Sequence, residues 1–281
     1  MKKEITILVP TDFSTASRAG IRFAMQWARQ QRANVVITHV LNIMRLTGWS
    51  DRQFESYAAA QRTLTTRRLR RLTGEFLHRT QPAERNCSSR LLEGVGVDVA
   101  LNSFSRQHGE IDLVCMGTRG AGHLRKLFGT NTGNVILHSD LPVVAVPSRY
   151  RTRPITRILY ATDFVDYSTE LEKVLAISRS LGASLTVLHL SILGEPRLDP
   201  ALIMKLWEKE YGCKIDLVYQ TEDPTLSLAG NLQLAIDRIK PSMVVMFTDR
   251  QRTFFQRVFY PSQAESLSFR SEVPLLVFAR P

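Results

Sequence analysis

The sequence predicts an α/β fold of two tandem, doubly wound domains, each with a parallel sheet and helices on both faces. Short apolar segments with the length of buried strands alternate along the chain with longer segments of helical periodicity. The same order of segments occurs twice, because residues 7–14 recur as residues 158–165 and residues 36–40 recur as residues 186–190. This internal repeat predicts that the chain is a tandem duplication.

The first half begins with a strand that ends at Pro10, followed by a helix with an apolar face. Its further segments are predicted as a strand near 34–40, a long helix near 52–80, a strand near 87–92, a helix near 95–107, a strand at 111–115, a short helix at 134–138 and a last strand at 142–146. The second half repeats this order with strands near 158–162, 184–190, 213–219, 242–246 and 273–278. A helix with an apolar face follows Asp163, and further helices are predicted near 199–211 and 225–239. We place the boundary in the basic segment 148–154 and expect domains of residues 1–150 and 151–281.

A glycine-rich loop follows the fourth strand of the first half, where residues 116–133 contain Gly117, Gly120 and Gly129. Glycine lets the main chain approach a phosphate closely, and the N-terminus of the next helix offers free N–H groups to an anion. Thr130, Asn131 and Thr132 can cap that helix or donate to phosphate oxygens, and Arg119 adds positive charge. The pattern matches neither a Walker A loop nor a dinucleotide-binding fingerprint, and an ordinary surface loop remains the alternative.

The first strand ends in Pro10, Thr11 and Asp12, which a doubly wound sheet would place opposite the glycine loop. A carboxylate there suits a ribose hydroxyl, an amino group or a metal ion. The alternative is that Asp12 caps the helix that starts at Ser14 or Thr15, because Asp163 repeats the sequence in the half that lacks the loop. The sequence leaves both roles open.

Charge and composition narrow the class of protein. Residues 1–150 hold 21 Lys and Arg against 11 Asp and Glu, whereas residues 151–281 hold 16 against 15, so the first half suits an anionic ligand. No segment has the length and hydropathy of a membrane span, no signal peptide is evident, and the three cysteines lack metal-ligand spacing. We therefore expect a cytoplasmic protein.

The basic segment Arg67–Arg71 carries an interleaved apolar stripe, which favours a solvated helix face over a nucleic-acid site. The stripe is predicted from Leu64, Leu69, Leu72 and Phe76. We also expect a structural role for His39, because His189 repeats it in the half that lacks the loop.

These motifs resemble the universal stress protein family in its tandem-domain form, over nearly the whole chain. The resemblance implies two open five-stranded sheets of order 3-2-1-4-5, and ATP, ADP or AMP bound by the first half, with Mg²⁺ as an accompanying ion. By the resemblance, the nucleoside contacts Pro10, Thr11, Asp12 and Val40. Met116, Gly117, Arg119 and Gly120 form the start of the loop, and the phosphates lie against Gly129, Thr130, Asn131 and Thr132.

The second half departs from this pattern, because Phe247 and Arg250 replace the first two glycines of the loop. We therefore expect a degenerate domain without nucleotide. The resemblance implies a cytoplasmic, nucleotide-dependent sensor or regulator of stress responses and not an enzyme. A non-nucleotide interaction or dimerisation module and a slow ATPase or autophosphorylating protein remain alternatives. We expect the halves to pair through their last apolar strands, with a homodimer and a regulatory protein partner left open.

Overall fold

A computed structural model describes residues 4–80, 87–118, 130–248 and 272–279. These residues divide into two compact units, the first ending at Ser148 and the second beginning at Arg149. Within the part of the chain described, no helix is long and apolar enough to cross a membrane.

Each unit alternates strands and helices in the order that the sequence predicts. The first unit contains β1 (Ile5–Pro10), α1 (Ser17–Gln30), β2 (Ala33–Leu41), α2 (Asp51–Thr80), β3 (Cys87–Glu93), α3 (Val97–Gln107), β4 (Leu113–Thr118), α4 (Thr130–His138) and β5 (Val143–Pro147). The second unit contains β6 (Arg157–Thr162), α5 (Tyr167–Leu181), β7 (Ser184–Ser191), α6 (Pro200–Tyr211), β8 (Asp216–Thr221), α7 (Leu228–Ile239), β9 (Met243–Thr248) and β10 (Leu275–Ala279).

Both units have the predicted parallel sheet. In the first, β1 pairs with β2 and β4, β2 pairs with β3, and β4 pairs with β5, which gives the order β3-β2-β1-β4-β5. In the second, the corresponding order is β8-β7-β6-β9-β10. The predicted fold class is therefore confirmed, whereas pairing of the two halves through β5 and β10 stays a prediction.

The sequence explains why these elements form where they do. β1 is an almost continuous apolar segment and is buried along nearly all of its length, as expected for a central strand covered on both faces. α1 buries Ala19, Phe23 and Trp27, whose spacing places them on one face. α5 and α6 each stop at a glycine in the left-handed conformation, Gly182 and Gly212. The helices contact their neighbouring strands through such faces, so the buried core of each unit lies between its sheet and its helices.

The structure corrects several details of the sequence interpretation. β4 continues through Met116 and Gly117 to Thr118, so these residues belong to the strand and not to the loop that follows. α1 begins only at Ser17, later than the predicted start at Ser14 or Thr15. On α2, Leu69, Leu72 and Phe76 are buried as predicted, but Leu64 is exposed and lies outside the apolar stripe.

Candidate functional site

The candidate site lies where strand order reverses in the first unit, between β1 and β4. These strands are parallel neighbours, with Ile7 opposite Leu113 and Leu8 opposite Val114. β2 lies on the other side of β1, so the chain runs outward in one direction before β4 and in the other direction after it. The carboxyl ends of β1 and β4 therefore lie together at the topological switch point, where open α/β sheets bind their ligands.

The turn after β1 is held by Thr11, which is 5% exposed. Its hydroxyl accepts a hydrogen bond from the Phe13 N–H at 3.0 Å and lies 2.8 Å from Ser17 Oγ. Its carbonyl oxygen lies 2.7 Å from His39 Nδ1, at the end of β2. Because its hydroxyl and carbonyl both have partners within the protein, Thr11 shapes the turn. This contact also supports the structural role expected for His39.

Asp12 is exposed at the same edge, and its carboxylate accepts a hydrogen bond from the Ser14 N–H at 2.9 Å. Burial acts to raise the pKa of this carboxyl, but hydrogen bonds from Ser14 and Ser17 outweigh it and hold the pKa below its ordinary value. The alternative prediction, in which Asp12 is the N-cap of α1, is wrong. The N-cap of α1 is Ala16, and Asp12 instead closes an Asx turn ahead of the helix.

Phe13 adopts a left-handed backbone conformation, with φ of 64°, which is uncommon for an aromatic residue. Its ring lies 4.6 Å from the ring of His39, and the guanidinium carbon of Arg68 lies 4.2 Å from the centre of the Phe13 ring. Arg68 belongs to the basic segment of α2, which the sequence assigned to a solvated face. One member of that segment therefore covers the turn through a cation–π contact.

Close packing between the start of α1 and β4 requires a glycine at position 117. A Cβ built at Gly117 would lie 2.0 Å from the Ala16 carbonyl oxygen, and one built at Gly20 would lie 2.8 Å from the Gly117 N. The two glycines thus let α1 approach the backbone of β4. Sequence analysis gave Gly117 a role at the start of the phosphate loop and missed Gly20, whose signal was a glycine within a helical pattern.

Two residues of β2 complete this edge of the sheet. Val40, which the resemblance places against the nucleoside, is half-buried and pairs with Leu92 of β3. Thr38 pairs with Pro10 and is fully buried, yet its hydroxyl has no hydrogen-bond partner among the described residues. Buried polar groups are normally paired, so Thr38 is a polar feature of this edge that the sequence analysis missed. Its signal in the sequence was a hydroxyl side chain within a largely apolar strand.

The other predicted phosphate ligands belong to α4 or lie beyond the described residues. α4 begins at Thr130, so Thr130, Asn131 and Thr132 form its first turn, in which there is no acidic residue. Asn131 is exposed, whereas the side chain of Thr132 is buried. Arg119, Gly120 and Gly129 lie outside the described residues, so their predicted roles stay predictions.

The second unit repeats the turn but changes what surrounds it. Thr162, Asp163 and Phe164 make the same local hydrogen bonds as their counterparts, and Phe164 has φ of 62°. At the position of Gly117 stands Phe247, whose buried ring stacks on Phe278 at 4.8 Å. Residues 249–271, which include Arg250, lie outside the described residues.

Two parallel sheets of this order, in which the direction of the chain reverses beside the first strand, define a doubly wound α/β protein. The model of the universal stress protein family matches residues 6–147. The chain therefore belongs to the universal stress protein family, as the sequence resemblance predicted.

Solved structures extend the likeness to both units. A universal stress protein from Archaeoglobus fulgidus DSM 4304 matches with a TM-score of 0.72 and 18% identity, covering 100% of each chain. A putative universal stress protein from Pseudomonas aeruginosa UCBPP-PA14 has a TM-score of 0.57 and 13% identity, covering 98% of this chain and 92% of its own. These likenesses support the tandem fold. No curated protein sequence matches the chain.

Proposed function

We propose that the first unit binds ATP or another adenine nucleotide at the edge formed by β1 and β4. The observation that carries the proposal is the parallel pairing of these two strands at the switch point. It brings the turn after β1 and the carboxyl end of β4 to one edge of the sheet. Membership of the universal stress protein family supports this choice of ligand.

The described residues suit the two ends of such a ligand. The nucleoside would lie against Pro10, Asp12 and Val40, where an ionised carboxylate can accept a hydrogen bond from a ribose hydroxyl or hold Mg²⁺. The phosphates would lie at the first turn of α4, where free N–H groups favour anions and no acidic side chain opposes them. The glycine loop, predicted from sequence, would cover them.

We propose that the protein acts as a nucleotide-dependent sensor or regulator and not as an efficient enzyme. The low pKa of Asp12 makes this carboxylate a weak general base at neutral pH, so hydrolysis of ATP through it should be slow. Burial raises the pKa of the Cys115 thiol, which disfavours a thiolate nucleophile. Signalling would then require that the nucleotide bind one conformation of the protein more tightly than another.

Isothermal titration calorimetry of the full chain with ATP tests the proposal. We expect one site per chain in the wild type and no measurable heat of binding for Gly120→Val, because a β-branched side chain obstructs approach of the main chain to phosphate. Circular dichroism establishes that the variant is folded. Absence of ATP, ADP and AMP binding by the wild type would refute the proposed function, and unchanged affinity in folded Gly120→Val would refute the role of the loop.

A further inference from the structure

The second unit contains an open cavity of about 670 Å³ beside the ends of β6, β7 and β8. Four aromatic side chains, Phe164, Tyr167, Trp207 and Tyr219, form much of its wall. Aliphatic residues of α6 and of the segment before it also line the cavity. A cavity of this size and composition is typical of sites for small organic molecules, which are mostly apolar and hold a few polar groups.

The aromatic rings form a connected wall. The ring of Phe164 lies 5.5 Å from the ring of Tyr167 in an edge-to-face arrangement and 6.3 Å from that of Tyr219. Tyr167 in turn lies 6.3 Å from Trp207, which is on α6. Rings arranged in this way offer both faces and edges to a further ring, and aromatic pairs prefer these offset or edge-to-face geometries.

Two polar residues of the cavity, His189 and Glu195, contact each other. His189 directs Nδ1 to the Thr162 carbonyl oxygen at 3.0 Å and Nε2 to Glu195 Oε1 at 3.1 Å. The other carboxylate oxygen of Glu195 accepts the Ile192 N–H at 3.0 Å. Lys209 and Glu210 add one charge of each sign to the lining. The guanidinium carbon of Arg197 lies 5.8 Å from the centre of the Tyr219 ring, so Arg197 and Lys209 together offset the charges of Glu195 and Glu210. Because both Glu195 oxygens also have partners, the cavity does not require a charged ligand.

The corresponding region of the first unit is built differently. Arg68 lies over the ring of Phe13, which corresponds to Phe164. Leu91 stands opposite His39 in β3, at the position where Tyr219 stands opposite His189 in β8. The sequence repeat also aligns Ala16 with Tyr167. The aromatic wall is thus a feature of the second unit, and it is independent of the proposed nucleotide site.

We infer that this cavity binds an uncharged, planar aromatic molecule by stacking and edge contacts with Phe164, Tyr167, Trp207 and Tyr219. The ligand would lie against the apolar side of α6, where Leu206 lines the cavity. The second half would therefore have kept a ligand-binding role with a different chemistry, although the sequence predicts no nucleotide there.

The neutral fluorescent probe N-phenyl-1-naphthylamine tests this inference on the full chain. We expect a saturable fluorescence increase with one probe per chain and energy transfer from Trp207. Leu206→Arg should weaken binding by about tenfold or more, because a charge replaces a contacting apolar side chain. Leu202→Arg is the matched control: Leu202 is 56% and Leu206 55% exposed on the same helix, but Leu202 does not line the cavity.

The pair of variants separates a specific site from general adhesion to an apolar surface. Wild-type affinity in Leu202→Arg together with the loss in Leu206→Arg supports the inference, since both positions are exposed and neither change should unfold α6. Absence of saturable binding by the wild type, or equal effects of the two variants, would overturn it. Sedimentation at several concentrations adds a further arm: self-association abolished only by Leu206→Arg would make the cavity an interface between chains and refute a small-molecule site.

Discussion

The turn after the first strand is nearly the same in the two units, whereas the side chains around it differ. The Phe13 and His39 rings are 4.6 Å apart at an angle of 34°, and the Phe164 and His189 rings are 4.7 Å apart at 32°. Arg68 covers the turn in the first unit, and an aromatic cavity adjoins it in the second. The residues that shape the turn are therefore the same in both units, although we predict different ligands for the two units.

This comparison separates residues needed for folding from candidates for binding. Each Thr-Asp-Phe turn places an aromatic residue in the left-handed region, a conformation that the surrounding hydrogen bonds must hold. Because the turn occurs in both units, its presence is not evidence for nucleotide. A candidate for binding is instead a feature that is present in a single unit and not required by packing, such as the aromatic residue at position 219 in the second unit.

The largest expected effect comes from placing alanine at corresponding positions of the two units. Gly117→Ala should destabilise the first unit by about 3 kcal/mol or more, because the new Cβ would collide with the backbone at Ala16. Phe247→Ala should cost the second unit about 3–5 kcal/mol by leaving a cavity beside Tyr160 and Phe278. Urea unfolding followed by circular dichroism measures both.

Gly74→Ala is the control for this comparison, since a Cβ at Gly74 would meet no atom within 4 Å. On the helix α2 it should stabilise by about 0.5–1 kcal/mol through helix propensity. If Gly117→Ala were as stable as the wild type, then α1 would not depend on this close approach to β4, and the structural explanation of the glycine would be wrong.

The order of strands and helices was predictable because apolar periodicity and an internal repeat both report on the buried faces. The start of α1 was not predictable, because Asp12 and Ser14 each satisfy nearby N–H groups and the helix begins only beyond them. The end of β4 was also missed, since Gly117 looks like a loop residue until its approach to Ala16 is known.

The candidate site was only partly predictable for a related reason. Pro10, Asp12 and Val40 lie at the expected edge because strand order brings β1 and β4 together. The aromatic cavity joins Phe164, His189, Trp207 and Tyr219 from four separate segments of the second unit. No local spacing relates such residues, and therefore only the folded arrangement brought them to notice.

A smaller effect is expected from removing one carboxylate in each unit. Asp12→Asn should weaken ATP binding by about tenfold or more, because a charged hydrogen-bond acceptor at the proposed site is lost. Asp163→Asn is the matched control, since Asp163 makes the equivalent Asx turn with Val165 at 3.1 Å. An asparagine oxygen can accept the same backbone N–H, so both variants should fold. Equal affinities in calorimetric titration would remove Asp12 from the site.

The smallest expected effect is on acid stability and concerns the pairing of His189 with Glu195 in the second unit. The hydrogen bond from His189 lowers the pKa of the Glu195 carboxyl in the folded protein. The unfolded chain therefore takes up its proton at a higher pH, near the ordinary glutamate value of about 4.3. The stabilising contribution is present above that value and is lost as the pH falls toward the lower pKa of the folded state.

Glu195→Gln should accordingly lower the thermal midpoint at pH 7 slightly and make the decline of that midpoint below about pH 4.3 shallower. Glu222→Gln, at a partly exposed position in the same unit, is the control for loss of a carboxylate. Identical slopes for the wild type and Glu195→Gln in differential scanning calorimetry between about pH 3 and 7 would show that this pair does not stabilise the wall of the cavity.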